Sequence, residues 1–133
     1  MILFDTSIWI DHFNRSENTK SVFLSQQLQQ YPNKVATNAT IIQEVLQGAK
    51  NDNLFDIYRD ILTNIQYLEI DLIQAAIDAA TLYRSLRKKG ITIRKPNDCL
   101  IAVYALHFDI DLCHNDSDFD LIAAHSELKI WQG

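Results

Sequence analysis

The sequence predicts an α/β domain with a mainly parallel central sheet, and three observations carry that prediction. Short apolar runs without polar alternation take turns with longer segments of helical periodicity, the pattern of strands buried on both faces and joined through helices. The chain has 133 residues with only three Gly and two Pro, which leaves little material for long irregular loops, so a single domain over 1–133 is expected. Its apolar fraction of 47% against 22% charged residues suits a chain that buries a core in water. No apolar run approaches the ~20 residues that span a bilayer. The N-terminus also lacks a basic signal-peptide region, so a cytoplasmic protein with no membrane partner is expected.

Met1-Ile2-Leu3-Phe4 is the first strand, and it ends at Asp5. Thr6 and Ser7 supply N-cap chemistry for a helix opened by Ile8, Trp9, Ile10 and Phe13. After a polar break over 14–18, a second helix runs over about 20–30 and stops at Tyr31-Pro32-Asn33. Lys34-Val35-Ala36-Thr37 is the second strand. Thr40 is placed to cap a helix over 41–49, whose Ile41, Ile42, Val45, Leu46 and Ala49 keep helical spacing. Glu44 is its only acid, and Gly48 with Asn51-Asp52-Asn53 marks its stop.

Leu54, Phe55, Ile57, Tyr58, Ile61 and Leu62 give a further amphipathic helix, and Tyr67-Leu68-Glu69-Ile70 reads as the third strand. A long Ala-rich helix over about 72–89 closes at Gly90 with cations in its last turns. Next comes a helix over 96–108, almost uncharged along its body. Asn97 is the expected N-cap, and Asp98 lies in the first turn, where the helix dipole favours a carboxylate. Ile101, Ala102 and Ala105 share its face and read as buried. A fourth strand over 111–114, the acidic turn Asn115-Asp116-Ser117-Asp118-Phe119-Asp120, a short helix to about His125 and a last strand over 128–131 complete the chain. Cys99 and Cys113 lie in apolar context and read as free, buried thiols.

The net charge of −5 excludes a passive, charge-driven binder of nucleic acid. The distribution says more, because six of the 12 basic residues fall together: Arg84, Arg87, Lys88, Lys89, Arg94 and Lys95. They are either a solvated helix end favoured by the dipole or a strip that contacts phosphates beside an acidic site.

In open parallel sheets, functional residues gather outside the carboxyl ends of the strands. Asp5 ends the first strand, Asp116 and Asp118 follow the fourth, and Asp98 opens the helix leading into the fourth. A sheet order with strands one and four side by side would bring these four acids together, with Glu44 on the helix after strand two. Alone, each has an ordinary explanation: Asp5 as a helix cap, Glu44 as an exposed helix acid, Asp98 as a first-turn acid, Asp120 as turn chemistry. Together they would repel one another unless a cation neutralises them. An oxygen-only set selects a hard ion, Mg²⁺ or Mn²⁺, since His12, His107, His114 and His125 have no zinc-ligand spacing. Such ions activate water and neutralise a phosphate during in-line displacement. His114 either lines this site or packs beneath it.

These stretches together resemble the PIN-domain ribonucleases, and within them the VapC toxins of toxin–antitoxin pairs. The matching segments are Asp5-Thr6-Ser7-Ile8-Trp9-Ile10, Ile42-Gln43-Glu44-Val45-Leu46-Gln47-Gly48-Ala49, Asn97-Asp98-Cys99-Leu100-Ile101-Ala102 and His114-Asn115-Asp116-Ser117-Asp118-Phe119-Asp120, in family order and covering nearly the whole chain. The resemblance implies a three-layer α/β/α PIN fold and Mg²⁺- or Mn²⁺-dependent RNA cleavage by in-line attack of activated water. Asp5, Glu44, Asp98 and Asp116 match the family's acidic quartet, and Asp118 matches a further acid. Asp5, Asp98, Asp116 and Asp118 would hold the metal, with Thr6 and Ser7 in support. His114 stands where many members have Thr. The implied partners are an RNA substrate, a VapB-type antitoxin and a second copy in a homodimer. The competing readings are an inert PIN-like binding module and a receiver-type phosphoacceptor domain. The second is suggested by Lys95-Pro96 but lacks an adjacent acidic pair after strand one.

Overall fold

The computed structural model describes residues 1–133. In chain order it contains β1 (Ile2–Phe4), α1 (Thr6–Phe13), α2 (Thr19–Gln30), β2 (Val35–Thr37) and α3 (Ala39–Gln47). Then follow α4 (Asp52–Leu62), β3 (Gln66–Tyr67), α5 (Leu72–Lys88), α6 (Pro96–Phe108), β4 (Asp111–Cys113) and α7 (Ser117–Ala124). All four strands are parallel, in the order β3-β2-β1-β4. Helices cover the sheet in the three-layer α/β/α arrangement that the family resemblance implies. Parallel strands need such cover, because both of their faces must be buried.

The β1–β4 pairing decides where chemistry can happen. Leu3 lies opposite Leu112 and Phe4 opposite Cys113. Asp5 continues the ladder by donating its N–H to the Cys113 carbonyl at 2.9 Å. The two strands therefore end level, and the acids that follow them emerge at one edge. Beneath that edge Leu3, Phe4, Ile8, Trp9, Ile101, Ala102, Leu112 and Phe119 are fully buried in one continuous core. Helix α6 is buried almost all round, with Cys99, Val103 and Tyr104 inside as well as the predicted Ile101–Ala102–Ala105 face. That explains its near absence of charge.

Several caps differ from expectation. Thr6 and Ser7 do not cap α1; Asp5 does, as its ordinary reading allows, accepting from the Ser7 N–H, while Ser7 Oγ donates back to Asp5. Asn38, not Thr40, caps α3 through Oδ1 to the Ile41 N–H at 2.9 Å. The predicted stop of α3 falls at Gly48, and Asn51 beyond it caps the next helix, α4. Asn97 is not the cap of α6. Pro96 occupies the first turn, and the residue before it, Lys95, is held extended (φ −114°, ψ 109°) with no side-chain cap, as the steric demand of a following proline requires. The third strand is shorter than predicted and exposed. The predicted last strand is reduced to a single parallel bridge between Leu112 and Ile130. Gly90, at φ 83°, ends α5 in the left-handed region that glycine enters without strain. Cys99 and Cys113 are buried and unpaired, as predicted.

The caps can be told apart by stability. Asn38→Ala should lower the unfolding free energy by ~1 kcal/mol. Thr40→Ala should leave it within ~0.5 kcal/mol. Urea denaturation of the two variants measures this, and the reverse ranking would refute the assignment of the α3 cap.

Candidate active site

The level ends of β1 and β4 bring Asp5 and Asp116 to one cleft of about 340 Å³. Its walls are Asp5, Thr6, Ser7, Ile10, Asp11, Glu44, Lys95, Asp98, Asn115 and Asp116. Only one of these is apolar, so the cleft is built for charge. Four of the predicted acids, Asp5, Glu44, Asp98 and Asp116, share it. Asp118 does not line the cleft but approaches from behind, with 5% of its surface exposed. One carboxylate oxygen each from Asp98, Asp116 and Asp118 lie within 4.8 Å of one another.

Each acid is held by a local device. Asp5 Oδ2 accepts from the Ser7 N–H at 3.1 Å and from Ser7 Oγ at 2.7 Å. Glu44 projects from α3 and accepts from Thr6 Oγ1 at 2.7 Å through Oε1. Asp116 caps α7, accepting the Asp118 N–H at 3.0 Å. Asp98 is different: it is only 4% exposed, and its Oδ2 has no hydrogen-bond partner at all. A buried carboxylate oxygen without a partner costs free energy that a proton, a cation or an added hydrogen-bond donor recovers.

The electrostatics agree. Burial first, then the neighbouring charges of Asp5 and Asp116, push the Asp98 carboxyl up to about 7, with Lys95 pulling the other way. Asp5 is raised as well, chiefly by burial, against the lowering effect of its Ser7 hydrogen bonds. Three clustered carboxylates with an unpartnered buried oxygen fit a hard divalent ion, because all the donors are oxygens. The thiols fit no such role. Burial pushes Cys99 to about 11 and Cys113 to about 12, so both stay protonated near neutral pH.

His114 packs beneath the site and does not line it. It is buried against Phe119, and its Nδ1 accepts the Asp116 N–H at 3.0 Å. The ring proton therefore sits on Nε2, which faces Asp120 Oδ1 at 3.1 Å. Burial lowers its pKa and keeps the ring neutral. Asp120, whose ordinary reading is turn chemistry, thus orients the histidine that fixes the Asp116 backbone.

The basic strip divides into two parts. Arg84, Arg87, Lys88 and Lys89 are exposed at the end of α5. Arg94 and Lys95 instead turn onto the acids: Arg94 Nε to Asp118 Oδ2 at 3.2 Å, Arg94 Nη2 to Asp116 Oδ1 at 3.4 Å, and Lys95 Nζ to Asp116 Oδ2 at 3.8 Å. Sequence reasoning missed Asp11 and Asn115. Asn115 donates its backbone N–H to Ser7 Oγ at 3.1 Å and its side-chain amide to Asp11 Oδ2 at 3.1 Å. Asp11 also receives Asn18 Nδ2 at 3.0 Å. The available signal was spacing, since Ser7 and Asp11 lie one helical turn apart on the face that meets the cleft.

A parallel α/β/α domain with a carboxylate-lined cleft at the ends of adjacent strands defines the class. The sequence matches the PIN domain family over residues 2–125, and the chain belongs to that family. It is 35% identical over 132 residues to Ribonuclease VapC11 of Mycobacterium tuberculosis, an alignment that spans 97% of this chain and 96% of that protein. Among solved structures, it is similar to VapBC2 from Rickettsia felis bound to a DNA fragment from their promoter, with TM-score 0.75, 22% identity and coverage of 99% of this chain and 100% of that one. It is also similar to a toxin–antitoxin complex from Klebsiella pneumoniae, with TM-score 0.61, 26% identity and 90% of each chain covered. The receiver-type reading falls with this assignment. No helix is long and apolar enough to cross a membrane.

Without divalent ions, folded Asp98 ionises near pH 7 against an ordinary value of 3.8. The unfolded chain releases this proton first, so its contribution to stability falls as pH rises from 3.8 toward 7. In EDTA at pH 8, Asp98→Asn should therefore be more stable than the wild type by ~1–3 kcal/mol, a gap that closes toward pH 4. Urea titrations at both pH values test this, and a variant less stable than wild type at pH 8 would contradict the assigned environment. Mn²⁺ binding at pH 6 should also release about one proton, read as a buffer-dependent calorimetric enthalpy.

Proposed function

We propose that this chain is a divalent-metal-dependent endoribonuclease acting as the toxin of a VapBC-type pair in the cytoplasm. The observation that carries the reading is Asp98: a buried carboxylate with an unpartnered oxygen, beside Asp116 and Asp118, in a chain 35% identical to a named ribonuclease. Asp98 and Asp116 would hold the ion from the cleft, Asp5 would complete the set, and Asp118 would support it from behind. When bound, Mg²⁺ or Mn²⁺ would neutralise charge on the scissile phosphate and sharpen the acidity of a nearby water.

The chain's own residues do the rest. Thr6 fixes Glu44 Oε1, which leaves Oε2 to orient the attacking water and take its proton. Ser7 locks Asp5 and, through the Asn115 N–H, ties β1 to the turn that carries Asp116. Arg84, Arg87, Lys88 and Lys89, with Arg94 and Lys95, would guide the RNA backbone toward a cleft that would otherwise repel it. In-line displacement would leave 5′-phosphate and 3′-hydroxyl ends. A VapB-type antitoxin fits the same chemistry, since a guanidinium offered in trans would pair with the cleft carboxylates. The active form is proposed to be a homodimer.

Asp98→Asn and Asp116→Asn should each lower RNA cleavage by at least about two orders of magnitude while circular dichroism stays native. EDTA should abolish wild-type cleavage, and added Mg²⁺ or Mn²⁺ should restore it. Expression of the wild type should arrest growth, and Asp98→Asn should relieve the arrest. Cleavage by Asp98→Asn at the wild-type rate would sink the proposal.

A further inference from the structure

Of the six cations of the basic strip, Arg94 and Lys95 reach the acids, and Arg94 alone engages two of them, since Lys95 meets only Asp116 Oδ2 at 3.8 Å. Arg94 belongs to the irregular segment between α5 and α6, just before the helix that carries Asp98. Its backbone N–H donates to Asp118 Oδ2 at 3.1 Å, and its Nε reaches the same oxygen at 3.2 Å. Its Nη2 lies 3.4 Å from Asp116 Oδ1. Two of the three carboxylates that cluster within 4.8 Å are therefore already engaged by one guanidinium. The restraint is light, because the Arg94 side chain is 70% exposed while the Asp118 side chain is 7% exposed. The acids are fixed, and the cation on them can swing into solvent.

A divalent ion among Asp98, Asp116 and Asp118 would draw on the carboxylates that Arg94 neutralises. Two cations cannot share those oxygens at full strength, so each lowers the affinity of the other. Displaced from Asp116, which lines the cleft, the guanidinium would have its planar fork free within one side-chain length of that cleft. Such a fork pairs with a phosphate as well as with a carboxylate. We propose that Arg94 is a resident counter-cation of the acidic site whose release by the divalent ion turns it into a phosphate-binding residue for the substrate backbone. Metal loading and substrate binding are thereby coupled through one side chain. The phosphate-binding half rests on the ribonuclease reading; the competition with metal does not.

The test uses Arg94→Gln and Arg94→Lys in the full chain, with thermal melts confirming the fold. The backbone bond from residue 94 to Asp118 survives both substitutions. In the absence of RNA, Arg94→Gln should bind Mn²⁺ about three- to tenfold more tightly than wild type by calorimetry, the range expected for losing exposed but charge-assisted pairs. Arg94→Lys should stay near wild type. Unchanged or weaker Mn²⁺ binding by Arg94→Gln would overturn the competition. At saturating Mn²⁺, Arg94→Gln should raise KM for single-stranded RNA about five- to tenfold with kcat within about twofold, partly rescued in Arg94→Lys. A fall in kcat with KM unmoved would overturn the phosphate-binding role. If no variant or wild type cuts RNA, the ribonuclease reading fails while the Mn²⁺ measurement still decides the competition.

Discussion

Carboxylates crowded at the ends of two adjacent strands dominate the organisation of this protein. Asp5, Asp98 and Asp116 face one cleft, and Asp118 closes on them from behind. Such crowding is unfavourable in itself: burial and mutual repulsion raise Asp98 to about 7. The surrounding structure consists largely of devices that hold these groups in place despite the cost. Ser7 and its own helix restrain Asp5, Thr6 restrains Glu44, the α7 N-terminus restrains Asp116, and the Arg94 backbone N–H restrains Asp118.

Rigidity beneath the cleft comes from ordinary packing. Helix α6 is enclosed on nearly every side, so Asp98 has almost no freedom to relax toward water. The core around Leu3, Ile101 and Leu112 fixes the separation of the acids in the way a close-packed interior transmits position. Four buried side-chain atoms lack a partner, Trp9 Nε1, Thr37 Oγ1, Asn38 Nδ2 and Asp98 Oδ2, and Asp98 Oδ2 is the only carboxylate oxygen among them. Sites of this kind are where function is expected, because stability alone would have removed them.

The α/β class and nearly every element were legible because strand and helix periodicities are strong and local. The acids were legible as a set, since Asp5, Asp98 and Asp116 recur at the ends of elements and Glu44 is the only acid of its helix. The caps were less so. A polar residue before a helix could be Asn38 or Thr40, and only the chain's path out of β2 selects Asn38. Asn97 was displaced as a cap because Pro96 fixes the backbone one residue earlier. His114 could be read either way until its ring was seen beneath Asp116 and oriented by Asp120.

By itself the sequence determined which side chains are available and which element carries each, because those choices depend on spacing along the chain. Only the tertiary structure decided which of them meet. The β1–β4 pairing brings residue 5 to residue 116, and no local rule dictates that two strands a hundred residues apart lie side by side. The same holds for Asp11 against Asn115, and for the division of the basic strip into exposed cations on α5 and the Arg94–Lys95 pair on the acids. Distances between remote side chains arise from packing the whole sheet and its helices, and the electrostatic character of the cleft follows from those distances.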